Sequence, residues 1–578
     1  MGELLKIAWL CLVAFMDVLI HKKSFRALII THFLTVLNDN LYKFLLVFFL
    51  LEGKSLTENA KILSYVSFFF ALPFLLLAPL AGSLSDRYQK RNIILATRVV
   101  EIICMLLGWY FFYIQSVWGG YLVLILLASH TTIFGPAKMG ILPEMLSLDY
   151  LSKANGIMTA MTYAGSILGS CCAPLLVDLT KNFTINGYVF SITFCVISSI
   201  CSLFVSWHIR PSNIKNREQK ITYVSFKDLW EILKETRQVS YLMLSIFLIA
   251  FFLLVGAYTQ VEIIPFVEFT LGYPKHYGGY LFPLVALGVG VGSYVAGWIS
   301  GKDIKLGYVP VTSLGLGLAF IGLYVFSSSL IGVMFSLLVL GFLGGMYQVP
   351  LHAYLQYASP EHKRGQILAA NNFLDFLGVL ISAGIVRILG SGLGLSPEMS
   401  FCFMGIFVFC IGLCLLWVWK ELVYRLFLSA VLRKQLGEFL RLPRSSVPAC
   451  YFVSTQSYRE TRRVLAMLPK TVRSLVVILD QTLQPGWTTR LISYCVPTIV
   501  FTNALGDRRV KTAWAVLQAQ HVRALLKQQP DLCIICLGKE ENVAFFSRTL
   551  IEQGIPLQML HLSCEYLNNK TTYHLSLG

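Results

Sequence analysis

Twelve apolar runs in series decide what this chain can become. They lie near residues 27–51, 60–83, 92–114, 118–138, 154–177, 186–207, 240–267, 277–300, 308–327, 329–350, 365–390 and 399–420. A helix needs ~20 apolar residues to cross the hydrocarbon core of a bilayer. One such run can be buried in a large soluble core, but twelve cannot be covered by the polar residues that remain. Of the 578 residues, 56% are hydrophobic and 13% are charged, whereas a soluble domain carries roughly 25% charged residues. The runs therefore predict an all-α polytopic membrane protein over residues 27–420, and they exclude a water-soluble enzyme there.

The loops give an orientation. Arg87, Lys90 and Arg91 follow the second run, and Arg210, Lys215, Arg217 and Lys220 follow the sixth. Lys302 and Lys305 follow the eighth, and His362, Lys363 and Arg364 the tenth. The opposite loops hold only Lys54, Lys61, Lys181 and Lys275. Basic loops stay on the cytoplasmic side, so both ends are expected there. The polar stretch 208–239 separates two six-helix halves, 27–207 and 240–420. A faint repeat supports the division: Pro136 and Ala154-Asn155 recur as Pro350 and Ala370-Asn371. Residues 1–26 contain an apolar run broken by Asp17 and followed by His21-Lys22-Lys23, with no small-residue cleavage site. They read as an interfacial segment, with Met16 as an alternative start.

From residue 421 the texture changes to ordinary mixed sequence. β-prone runs at 449–454, 474–479, 497–502, 531–537 and 556–562 alternate with helical patterns at 456–468, 507–528 and 541–553, which predicts a small cytoplasmic α/β domain over 421–578. The stretch 422–442 is amphipathic and basic and is expected on the membrane surface. The tail from 422 holds 19 Lys and Arg against 9 Asp and Glu, so +10 of the formal net charge of +17 lies there. Anionic lipid heads account for such a balance, and no nucleic-acid motif accompanies it. The 14 cysteines are scattered, mostly in apolar runs, and Cys533-x-x-Cys536 has no second pair. Neither a metal nor any other cofactor is expected.

The most informative loop reads Gly82-Ser-Leu-Ser-Asp86-Arg87-Tyr-Gln-Lys90-Arg91. The glycine permits close helix approach, the aspartate can act across helix ends, and the cations suit helix C-termini and lipid phosphates. This loop, placed after the second of twelve runs, resembles the signature loop of the major facilitator superfamily. The resemblance implies that superfamily's fold, two six-helix halves that rock about a central site, with Gly82, Asp86, Arg87 and Arg91 as a conformational-gating motif.

Charges inside spans cost roughly 2.5–3.5 kcal/mol each at a helix centre, so they mark function or pairing. The first run contains His32, Asp39, Asn40 and Lys43; His32, Asp39 and Lys43 share one helical face. That stripe is expected to look into the bundle, either as a site or as an internal Asp39–Lys43 pair. Arg98 and Glu101, three apart, can pair with each other. The fourth run ends Phe134-Gly-Pro136-Ala-Lys138 and continues through Pro143-Glu144, where Gly and Pro are expected to break the helix and expose backbone groups to a head group. Glu262 stands alone among apolar neighbours.

The runs GPAKMGILPEMLSLDYLSKANG (135–156), LNDN (37–40) and LGGMYQVPLHAYLQ (343–356) resemble bacterial lysophospholipid transporters of the same superfamily. The resemblance implies 2-acylglycerophosphoethanolamine as substrate, moved across the inner membrane. It places Asp39, Lys138 and Glu144 in or near the lipid path; Asn40 and Glu262 complete the candidate binding set. The family often carries an Arg in its seventh span, where this chain has Gln260 and Glu262. Some members are fused to a glycerolipid acyltransferase. The tail resembles a degenerate copy, with Gln456 and Thr461 where the general base and its orienting carboxylate would stand. The chain is thus expected to be no enzyme, and the resemblance implies a separate acyltransferase as a partner.

Overall fold

The computed structural model describes residues 23–51, 56–179, 187–211, 226–239, 241–273, 276–301, 304–420, 422–423 and 426–427, and six strands beyond residue 448. The chain divides into two compact units. One is Met1–Ile304 with Thr312–Gly412, and the other is Lys305–Val311 with Leu413–Gly578.

The described residues include twelve helices long and apolar enough to cross a membrane. In chain order the helices are α1 (Lys23–Leu51), α2 (Leu56–Arg87), α3 (Lys90–Tyr113), α4 (Val117–Met145), α5 (Leu151–Leu179) and α6 (Gly187–Ser206). A short linker helix, α7 (Phe226–Glu235), precedes α8 (Leu242–Pro265), α9 (His276–Ser300), α10 (Tyr308–Val325), α11 (Leu330–Ala358), α12 (Arg364–Arg387) and α13 (Pro397–Val418). The chain adopts helices because each span must satisfy its backbone internally.

Two boundaries differ from expectation. The proline-bearing runs were expected to break at Pro136 and to end at Pro350, but α4 continues through Pro136 and Pro143 to Met145, and α11 passes Pro350 to Ala358. Neighbouring helices and local adjustment let a spanning helix absorb the lost N–H. Lys138 therefore stands on an intact helix.

In the first half, α1 packs on α5 and α6, α3 on α4 and α6, and α2 on α4. In the second, α8 packs on α11 and α12, and α9 on α11. The halves meet where α2 lies along α12 and α5 along α9. The repeat extends to detail. The Ser116 hydroxyl accepts from Gly119 N at the start of α4, as Ser329 accepts from Gly332 N at the start of α11. Both glycines lie against an aromatic ring, Phe111 and Phe326 respectively.

The second unit contains a sheet of β1 (Ala449–Ser454), β2 (Leu475–Asp480), β3 (Thr498–Phe501), β4 (Cys533–Gly538), β5 (Leu557–Leu567) and β6 (Lys570–Leu577). Its order is β3-β2-β4-β1-β5-β6. β1 runs parallel to β4 and β5, and β2 parallel to β3 and β4, while β5 and β6 are antiparallel. β1 to β5 fall on the apolar runs read from sequence, whereas β6 does not. The helical patterns expected between the strands, residues 1–22 and most of 422–442 lie outside the described residues.

Candidate functional site

The first half is built around a polar cluster that no spanning segment would bury without partners. Arg98 on α3 is fully buried, pairs with equally buried Glu101 one turn away, and also donates to Thr35 Oγ1 on α1. Asn38 Nδ2 donates to Glu101 Oε1 at 2.9 Å and to Ser199 Oγ of α6 at 2.9 Å. The Arg98 guanidinium also lies 4.4 Å from the Phe134 ring centroid. This group locks α1, α3, α4 and α6 together, and the Arg98–Glu101 pair expected from spacing is its centre.

Beside it runs a more accessible stripe. Asp39 is half-buried; Thr131 Oγ1 donates to its Oδ2 at 2.9 Å, and His130 Nε2 stands 3.9 Å from its Oδ1. His32 Nε2 and Thr162 Oγ1 of α5 are 2.7 Å apart. Lys138, also half-buried, brings Nζ within 3.5 Å of His32 Nδ1 and 5.6 Å of the Phe134 ring. Thr131 and Lys138 are seven residues apart on α4 and so share a face. Asn40 Nδ2 donates to Ser166 Oγ of α5 at 3.2 Å. Asp39 and Lys138 thus share one stripe between α1 and α4, while Asn40 is turned to α5. Lys43 lies over the Phe70 ring at 5.0 Å and forms no ion pair with Asp39.

The remaining expected residues lie elsewhere. Glu144 accepts from Lys90 Nζ at 2.5 Å, tying the end of α4 to the start of α3. Glu262 is buried in the second half against Ser400, whose hydroxyl is 2.6 Å from Tyr258 Oη. Neither is part of the Asp39–Lys138 stripe.

Between the halves, α2 and α12 cross at glycines. A Cβ on Gly82 would stand 2.8 Å from Gln366 Cα and 2.8 Å from Ala369 Cβ. This closeness lets Asp86 reach the start of α12, where Gly365 N and Gln366 N donate to its two oxygens at 2.6 and 3.0 Å. An anion at a helix N-terminus gains from the helix dipole. On the α5–α9 side, Asn155 and Gln356 exchange amide hydrogen bonds. Arg87 instead lies 5.7 Å from the Tyr88 ring, and Arg91 donates to Trp207 O within the first half. Further from the loop end, Phe74 stacks on Phe376 with centroids 3.8 Å apart.

The family profile described as Major Facilitator Superfamily matches residues 28–383. The chain belongs to the major facilitator superfamily. It is 25% identical over 412 residues to the lysophospholipid transporter LplT of Klebsiella pneumoniae, covering 69% of this chain and 96% of that one. An uncharacterized facilitator-type transporter, YfiS of Bacillus subtilis, is 21% identical over 411 residues, covering 68% and 92%. Among solved structures, the human organic anion transporter MFSD10 superposes with a TM-score of 0.55 at 14% identity, covering 68% of this chain and 99% of that chain. The proton:xylose symporter XylE gives 0.53 at 13% identity, covering 68% and 95%. These two share the facilitator fold.

Within that fold the structure adds residues the sequence analysis passed over. His130 faces Asp39. In the second half, Asn371 Nδ2 donates to buried Asp375 Oδ2 at 2.8 Å on α12, and Gln348 Nε2 lies 3.0 Å from His352 Nε2 on α11. Asp375 carried a signal, a carboxylate inside an apolar run, of the kind that singled out Glu262. Among the described residues no three His, Cys, Asp or Glu side chains are grouped to hold a metal ion.

Proposed function

We propose that this facilitator moves lysophospholipid of the 2-acylglycerophosphoethanolamine type across the bacterial inner membrane by alternating access. The observation that carries the reading is the half-buried Asp39–Lys138 stripe, together with the likeness to LplT along 69% of the chain. A zwitterionic head group suits one anion and one cation on the same wall: Lys138 takes the phosphate and Asp39 the ammonium. Each charge then exchanges water for an opposite charge, while the acyl chain stays against apolar helix faces. The seam at Asp86, Gly365, Asn155 and Gln356 is the gate that parts when the halves rock. Gly82 sets its spacing, Arg87 and Arg91 hold the first half rigid beside it, and Glu144 acts through Lys90. Both chain ends lie in the cytoplasm, because the basic loops fall on the Asp86 side.

Residues 421–578 form an α/β domain derived from a glycerolipid acyltransferase, without its catalytic pair. Re-acylation of the imported lipid then falls to a separate enzyme. Counterflow in proteoliposomes with lysolipids of ethanolamine, choline, glycerol and no head group tests the proposal. Exchange of the ethanolamine form is expected. Exchange of none of them overturns it.

A further inference from the structure

Lys43 is a spanning cation of the first half that the proposed lipid path leaves unused. It stands on α1, four residues beyond Asp39 and eight before the helix ends at Leu51. It is half-buried, and its ammonium lies 5.0 Å from the centroid of the Phe70 ring on α2. Among the described residues, its Nζ has no carboxylate within ion-pair distance and no hydrogen-bond acceptor.

The other cations inside the first-half spans have partners. Arg98 pairs with Glu101 and donates to Thr35, and Lys138 meets His32 Nδ1. Lys90, at the start of α3, holds Glu144. The carboxylates of this half are engaged too: Asp39 accepts from Thr131 and faces His130, and Glu101 holds Arg98 and Asn38. A ring face returns only part of what it costs to hold an ammonium inside a span. Away from the helix ends, Lys43 is therefore the described first-half cation left with neither an anion nor an acceptor. Its position says what could complete it. Asp39 and Lys43 share one face of α1, about 6 Å apart along the axis at 1.5 Å per residue. His32, which Lys138 meets, lies about 10 Å from Asp39 in the other direction. One anion thus stands between two cations along a single wall, Lys43 toward the Leu51 end and Lys138 toward the Asp86 seam.

We infer that Lys43 is a second phosphate-binding cation of the lipid path, which holds the lysolipid phosphodiester before Lys138 does, with Asp39 as the shared partner of the ammonium. The inference rests on the transport reading above. The two-carbon arm of phosphoethanolamine spans about one helical turn, so the phosphate can lie on Lys43 while the ammonium lies on Asp39. The phosphate then swings past Asp39 to Lys138, and the ammonium keeps its carboxylate throughout. Neither charge of the head group crosses the middle of the membrane alone, where an uncompensated charge costs most. A phosphate oxyanion also gives Lys43 what the Phe70 ring does not, a charge-assisted hydrogen bond. The surroundings agree. Phe70 packs on Phe74 with centroids 5.5 Å apart, and Phe74 stacks on Phe376 of the second half. Lys43 thus stands beside the surface along which the halves part.

The test uses the full chain in proteoliposomes and reads the lysolipid concentration that half-saturates counterflow. Lys43→Met should raise that concentration at least about tenfold, the loss of one charge-assisted contact. Lys43→Arg should recover most of the affinity. In detergent without lipid substrate, Lys43→Met should melt at or above wild type, because it removes an unpaired charge from a span rather than a contact. Wild-type half-saturation in Lys43→Met overturns the inference. So does weakened affinity together with a lower melting temperature, which makes the lysine structural, or a Lys43→Arg variant as weak as Lys43→Met. Competition by excess inorganic phosphate that Lys43→Met abolishes would hand the lysine to a free anion and overturn it as well. Absence of wild-type counterflow with every lysolipid is a different result, and it removes the transport reading itself.

Discussion

Asn155 and Gln356 face each other across the seam between the halves and exchange two amide hydrogen bonds of 2.9 Å each. Both are buried, so neither finds water if the other is lost. Gln356→Leu strands Asn155 Oδ1, while Nδ2 keeps its bond to Leu151 O, at a cost of about 1–3 kcal/mol, all of it borne by the closed seam. The seam should open more often, seen as faster thiol labelling of a cysteine placed at the start of α5. Unchanged labelling would show that this pair does not hold the gate.

The Gly82 crossing makes a steeper demand. A Cβ there meets backbone at 2.8 Å, which a flexible side chain cannot relieve. Gly82→Val should force α2 from α12 and break the Asp86 contacts with Gly365 and Gln366. The expected outcome is strong loss of uptake with normal membrane insertion. Asp86→Asn should give a milder loss, since it removes one charge-assisted acceptor and keeps the spacing.

Arg98 and Glu101 hold the first half together. Removing one partner of a buried pair typically costs about 3–5 kcal/mol. Glu101→Ala should lower the melting temperature of the detergent-solubilised protein and its monodisperse yield. A melting temperature equal to wild type would contradict the central structural role given to the pair.

Lys90 and Glu144 offer a reciprocal test. Glu144→Lys alone should impair transport, and the exchange Lys90→Glu with Glu144→Lys should recover most of it. Failure to recover would return Glu144 to direct contact with substrate.

Much of this was legible in the sequence, for physical reasons. Hydropathy fixes spans because the bilayer tolerates little else, and Asp39 and Lys138 stand out because charge in a span is rare. The proline-bearing ends of α4 and α11 misled, since proline terminates helices far more readily in water than among packed spans. His130 was passed over because one neutral polar residue in an apolar run has no periodicity and only the fold shows what it faces; Asp375 stood out in the sequence as Glu262 did and was missed all the same. Lys43 illustrates the reverse: spacing allowed an ion pair with Asp39, and the structure turns the ammonium to Phe70 instead. In the tail, β6 is polar and pairs along an edge with β5, so no apolar run announced it.

The central claim is that lysolipid passes along the Asp39–Lys138 wall. Uptake of labelled 2-acylglycerophosphoethanolamine by proteoliposomes holding equal amounts of wild type, Asp39→Ala and Lys138→Ala tests it most directly. The account expects uptake with wild type and near-background uptake with each variant, both of them folded. Wild-type rates in both variants would contradict it.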